Sequence, residues 1–267
     1  MGKPSSSLSH FILITFLAFP LWCATADGPV TPEQGSVSAA GKFTPRSGQP
    51  QGKPSPESAI QVLGGGKLKI GDVLLDASAR TVLIPARVNM AEGTVEYALV
   101  MESGKLHESI FATRATAEHL HIACMLLGLS ATRQGAGTAV PEESAVKIEV
   151  AWDTNGPEKR VPLSDCVALA DSSGKTDKTL PDGPWFYAGS QIDAAGFAAT
   201  REGSLISVIT DPQALITNPH PDREDDKIHL ANAQTLPRKG VPVRIILTLP
   251  PAKKTSPTVE KAPTALK

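Results

Sequence analysis

An acid set among apolar neighbours is the first chemically odd feature of this sequence. Residues 94–101 and 106–112 are rich in strand-forming types. Between them lies Glu102-Ser103-Gly104-Lys105, so the stretch reads as a β-hairpin with a four-residue, glycine-containing loop. Met101 then pairs with Leu106. Alternation puts Val95, Tyr97, Leu99, Met101, Leu106, Glu108 and Ile110 on one face, with Glu108 the exception to an apolar and aromatic set. A carboxylate on a buried face must find a partner or take up a proton, because desolvation disfavours its charge. The expectation is a largely inaccessible Glu108 with a raised pKa. The other face carries Glu96 and His107. Two readings follow. Glu108 is a perturbed acid or metal ligand with His107 and Glu96 beside it, or it is a structural acid holding a loop amide or an arginine while His107 sits at the surface.

Other residue types invite chemistry. His119 and His121 have metal-pair spacing, but on a helix they stand about 200° apart around the axis and flank the apolar stripe. The run from His220 to His229 is rich in carboxylates, as a calcium loop is, yet lacks the central glycine and includes Arg223 and Lys227; a solvated loop is the simpler reading. Trp185 and Tyr187 share one strand face, with Phe186 on the other, and such a pair can stack on a flat ligand or serve as core. Gly64-Gly65-Gly66-Lys67 lacks the spacing of a phosphate loop, and no G-x-S-x-G elbow occurs. Cys124 and Cys166 read as two buried thiols, with a disulfide as the alternative in an exported chain. No complete catalytic constellation is visible and no metal site is assigned; a divalent metal is compatible with the candidate residues.

These residues need elements to place them. Residues 68–76, 81–88, 94–101, 106–112, 146–152, 161–168, 184–192, 197–210 and 241–249 are β-rich. One helix is expected over about 116–128, capped by Thr116, with Ala117, Leu120, Ala123, Cys124 and Leu127 on one face and Gly128 as its stop. A short second helix is expected over about 212–217, with Asp211 as cap and Pro212 at its first position. The fold class read from this pattern is α+β with a mostly antiparallel β-sheet.

The ends are of a different kind. Lys3, the apolar run Phe11 to Trp22 and Ala24-Thr25-Ala26 form a secretory signal over residues 1–26, with cleavage expected before Asp27. That makes the protein exported, periplasmic or secreted. A lipoprotein with Cys23 at its mature end is the alternative, although Trp22 is bulky where such signals take a small residue. The run is too short for a membrane span of about 20 residues, and no transmembrane span is expected. Residues 27–57 hold six Pro and five Gly, and read as disordered linker. Residues 251–267, with four Lys against one Glu, read as a disordered basic tail able to touch an anionic surface weakly. A single domain remains over residues 58–250. The chain is 41% hydrophobic with formal net charge −1, which excludes a basic nucleic-acid binder. Three Cys are too few for an iron–sulfur cluster, which needs about four.

Several segments together carry a resemblance: Val88-Asn89, Glu92 to Val100, Gly104 to Ser109, His119-Leu120-His121, Trp185 to Ser190 and Ile209 to Pro219. The combination resembles the YdjY-type domain of bacterial proteins, over about residues 67–250. The resemblance implies one domain of an exported bacterial protein and directs attention to Glu96, His107, Glu108 and His119. It supplies no mechanism. Some relatives occur with iron–sulfur modules, whose cysteines this chain lacks. The expected function is a non-catalytic binding or accessory domain. The alternative is a metal-binding protein or metal-dependent enzyme using Glu108, His107 and Glu96 with a helix histidine.

Overall fold

The computed structural model describes residues 60–251, residue 134 apart. The expected signal, the linker and nearly all of the basic tail lie outside them. In chain order the strands are β1 (Ile60–Gly64), β2 (Lys67–Ile70), β3 (Val73–Asp76), β4 (Thr81–Val88), β5 (Tyr97–Met101), β6 (Ser109–Thr113), β7 (Ala145–Trp152), β8 (Lys159–Pro162), β9 (Val167–Leu169), β10 (Lys178–Thr179), β11 (Trp185–Tyr187), β12 (Ile192–Asp193), β13 (Gly196–Phe197), β14 (Ser204–Ser207), β15 (Ile216–Thr217), β16 (His229–Ala231) and β17 (Pro242–Thr248). The helices are α1 (Ala117–Leu126) and α2 (Ala198–Glu202).

The neighbours β4, β17, β7, β11, β15, β14, β5 and β6 run around a ring, and β6 pairs back to β4. The result is a closed eight-stranded barrel. Strands β3, β2 and β1 extend from β4 as an open wing, and β8 adds to β7. Smaller sheets form from β10, β9 and β16 and from β12 and β13. The expected α+β class is therefore corrected: over the described residues the fold is mostly β, a barrel with extra strands and two α-helices. Closure depends on Arg87 pairing with Ala112 and Val88 with Phe111, a junction between separate strands that leaves no local mark in the sequence.

The longest ladders join β4 to β17 and β17 to β7. Across them Ile84, Ile245 and Val150 lie in one row and Val82, Leu247 and Ile148 in another, all buried. Each such side chain contributes about 1.5–3 kcal/mol on leaving water. Helix α1 begins where the cap predicts: Thr116 Oγ1 accepts from His119 N at 3.3 Å. It buries Ala117, Leu120, Ala123 and Cys124 and packs against β2, β3 and α2.

Two local expectations are overturned. The first is the hairpin. Strands β5 and β6 are neighbours but parallel, pairing Tyr97 with Ser109, Leu99 with Phe111, Val100 with Ala112 and Met101 with Thr113. The chain leaves Met101, folds through the 3₁₀ turn Leu106–Glu108 and returns to the starting end of β5. Parallel neighbours commonly need a connection of a dozen residues or more; strands this short let residues 102–108 suffice. The second is the helix expected at 212–217. Asp211 does bind a nearby amide, accepting from Gln213 N at 2.8 Å, but this closes a turn. The chain then enters β15, held between β11 and β14. Pairing on both sides outweighs the local helix signal. The short helix lies earlier, as α2, and ends at Gly203 in the left-handed region (φ 71°). A side chain there would place Cβ 2.5 Å from Gly104 Cα.

Candidate functional site

Three of the five sequence candidates come together. Glu108 closes the 3₁₀ turn with its side chain 21% exposed, and its Oε2 lies 3.4 Å from Nε2 of the exposed His107. Glu96 donates its backbone N–H to Glu108 O at 2.8 Å. Burial raises the Glu96 pKa, and the charge of Glu108 raises it further, against the opposing charge of Lys105. Glu108 is thus at the edge of a polar group, not on the core face the hairpin reading required. Strands β5 and β6 run parallel, so the assumed hairpin pairing does not exist.

The helix histidines go elsewhere. His119 packs on Gly71, where an added Cβ would lie 2.1 Å from the ring nitrogen Nδ1. The His121 ring meets the Tyr187 hydroxyl and the Phe197 ring, and burial lowers its pKa. Among the described residues, no three His, Cys, Asp or Glu are grouped so as to hold a metal ion. Cys124 and Cys166 are free, buried thiols; burial pushes the Cys124 pKa up to about 12 and that of Cys166 further.

The aromatic segment divides as strand alternation requires, and of the two readings of Trp185 and Tyr187 the structure takes the core one. Trp185 and Tyr187 join the apolar core. Phe186 points the other way, and strand register aligns it with Thr217, Ser207, Tyr97 and Ser109 across β11, β15, β14, β5 and β6. All five are buried, because segments 102–108 and 208–228 fold over that side. The row is mostly hydroxyls. Ser109 Oγ donates to Lys105 O and Ser207 Oγ to Thr217 Oγ1. The Tyr97 hydroxyl donates to Asp211 Oδ2 at 3.1 Å and accepts from Lys105 Nζ, which also lies 4.6 Å from the ring centroid.

A cleft of about 130 Å³ opens at one end of this row. Phe186, Ala188 and Pro212 form its apolar lining. Arg133, Arg223 and Asp211 supply charge, and Thr210 and Thr217 supply hydroxyls. Arg223 is 5% exposed, its guanidinium carbon 5.2 Å from the Phe186 ring centroid and its Nη1 donating to Asn218 O. Arg133 is exposed and reaches Ser190 O at 2.7 Å. Asp211 is buried, with Tyr97 on one carboxylate oxygen and Gln213 N on the other.

The acidic run after His220 contributes Arg223 to the lining of the cleft. Residues Pro221–Glu224 form a 3₁₀ turn. Asn218 Nδ2 donates to Val208 O and to Asp222 Oδ1, and His229, fully buried, places Nε2 3.5 Å from the same oxygen. Burial alone would raise the Asp222 pKa; the close approach of His229 and the bond from Asn218 outweigh it and hold the carboxyl low. Charge in this loop therefore locks backbone.

Sequence reasoning missed Tyr97, Lys105, Asp211, Thr217 and Arg223 as members of one site. The available signal was a charged or hydroxyl-bearing residue inside segments otherwise read as strand or helix, as with Tyr97 in the strand at 94–101 and Asp211 and Thr217 at the two ends of the helix expected at 212–217. Comparison with known proteins gives one match. Neither the curated proteins nor the solved structures include one that matches the chain. Residues 73–248, more than half of the sequence, match the YdjY domain. The barrel that carries the cleft falls within that span, and the chain belongs to the YdjY domain family.

Proposed function

We propose that the protein is an exported, non-catalytic binding domain whose ligand site is the cleft beside Phe186. The observation that carries the reading is Arg223: a guanidinium almost wholly removed from water, yet forming part of the wall of an open cleft. Convergent polar groups around a concave apolar lining are the usual form of a small-ligand site. The nearby acid–base groups are committed to structure. Asp211 has both oxygens bonded and Lys105 is bound to Tyr97, which supports binding over proton transfer.

Export rests on the leader sequence, Lys3 followed by an apolar run and Ala24-Thr25-Ala26. No helix among the described residues is long and apolar enough to cross a membrane. Expression with the leader, followed by N-terminal sequencing of the released protein, should show Asp27 first; an intact Met1 terminus in the cytosolic fraction would reject export.

Binding is tested by a thermal-shift screen of small organic molecules on wild type and on Ala188→Phe, which fills the cleft. The expected result is a subset of compounds that stabilises wild type alone. Compounds that stabilise both proteins equally, or none that stabilises either, would reject the cleft. Turnover of any stabilising compound would reject the non-catalytic part.

A further inference from the structure

We infer that the outer edge of β1 pairs with the same edge of a second copy of this chain, antiparallel, across a two-fold axis at Gln61. This pairing is independent of the cleft. Among the described residues β1 has one neighbour, β2, so its outer edge is open. All five of its residues are exposed, Val62 at 80%, Leu63 at 55% and Ile60 at 40%. Open edges are commonly guarded by lysine or proline, which discourage pairing with another chain. Strand β8, added at the side of β7, follows that rule with Lys159, Arg160 and Pro162. Strand β1 reads Ile-Gln-Val-Leu-Gly and has no such guard.

Strand register carries the apolar layer out to that edge. Val62 pairs with Leu68 and Leu68 with Leu75, while Ile60 pairs with Ile70 and Ile70 with Val73. Ile70, Val73 and Leu75 are buried in the core that holds Leu120 and Ala123 of α1, and Leu68 packs against it. The layer is covered there and runs bare at β1. The flanking sequence is a poor source of a cover. Residues 27–57 hold six Pro and five Gly, residues 251–267 hold three Pro and four Lys, and proline has no amide hydrogen to give a ladder. A second copy fits because this edge is its own complement. It carries no charge, so two copies meet without repulsion between them, and a two-fold contact uses the same patch on both. Pairing with β2 is regular from Ile60 to Val62 and shifts before Gly64. Centring the contact on Gln61 uses that regular stretch and sets Ile60 of one copy against Val62 of the other.

The test is sedimentation velocity on the full mature chain across a range of concentrations. An edge this short covers less than the roughly 1,000 Å² of a stable interface, so wild type should pass from monomer to dimer between micromolar and submillimolar protein. Val62→Lys should raise the dissociation constant about tenfold or more, because each copy loses an apolar contact. Ile192→Lys, at an isoleucine also 80% exposed but on β12, should leave it unchanged. Oxidised Gln61→Cys should give a disulfide-linked dimer, since residues opposed across an antiparallel pair have Cα atoms about 4.5–5.5 Å apart; Leu74→Cys, exposed on β3, should not. Wild type that stays monomeric at every concentration, as expected if another protein supplies the pairing strand, would overturn the assignment to a second copy. So would a Val62→Lys dimer of wild-type strength, an equal loss in Ile192→Lys, or a Gln61→Cys chain that fails to crosslink. Circular dichroism checks the folding of each variant, and if Val62→Lys does not fold, the crosslink decides.

Discussion

The Tyr97 hydroxyl donates to Asp211 Oδ2 at 3.1 Å, joining positions 114 residues apart in the chain. This bond ties strand β5 to the segment that walls the cleft. Tyr97→Phe keeps the ring and removes the donor, leaving a buried carboxylate oxygen short of a partner and Lys105 without its acceptor. The expected loss is about 1–3 kcal/mol, read as a lower denaturation midpoint in urea with an unchanged slope. A midpoint equal to wild type would show that the bond carries no stability.

Alkaline titration should show that both phenols are shielded. Tyr97 and Tyr187 are the only tyrosines. Burial raises the pKa of each, helped at Tyr97 by the charge of Asp211 and at Tyr187 by that of Cys124. Their contribution to stability is full below the ordinary tyrosine pKa of about 10. It declines above that, because the unfolded chain releases the protons first. Absorbance at 295 nm should stay flat through that range and rise only with loss of far-ultraviolet ellipticity. A phenolate signal near pH 10 in folded protein would contradict the buried positions.

Acid should act through His121. Burial lowers its pKa in the folded protein, so the fold favours the neutral ring. The stability this supplies is present above the unfolded value of about 6.5 and is lost as pH falls through the folded value. His121→Gln, which retains a polar partner for Tyr187, should reduce the fall in melting temperature between pH 7 and pH 5. A pH profile parallel to wild type would exclude His121 as a source of that fall.

Gly203 should be intolerant of even a methyl group. Its φ of 71° disfavours any side chain, and the added carbon would lie 2.5 Å from Gly104 Cα and 2.9 Å from its nitrogen. Gly203→Ala should destabilise by roughly 2–3 kcal/mol, measurable in the same urea experiment. A loss under about 0.5 kcal/mol would mean that the two backbones do not pack so closely.

Local chemistry was legible in the sequence where it acts over a few residues. The Thr116 cap, the buried side of α1 and the division of Trp185 and Tyr187 from Phe186 all follow from spacing. What spacing does not carry is which side of a strand meets the core. In the barrel both sides of β5 and β6 are largely buried, so alternation loses its contrast there. The direction of β6 is equally hidden, since a parallel and an antiparallel partner use the same residue types. The consequence for the site was specific. Glu108 was given an apolar setting it does not have, while Tyr97, in the same segment, holds the bond that joins β5 to the cleft.

The stitching of the barrel is uneven around its circumference. Strands β4, β17 and β7 share ladders of seven and five paired positions. Strand β11 meets each neighbour through two, and so do β15 with β14 and β6 with β4. One arc is a stiff stave and the opposite arc a loose hoop, and the cleft sits on the loose arc. Amide exchange should therefore be fastest in the very strands that a guest in the cleft would touch. Occupancy would act as a clasp there, tightening the softest part of the ring.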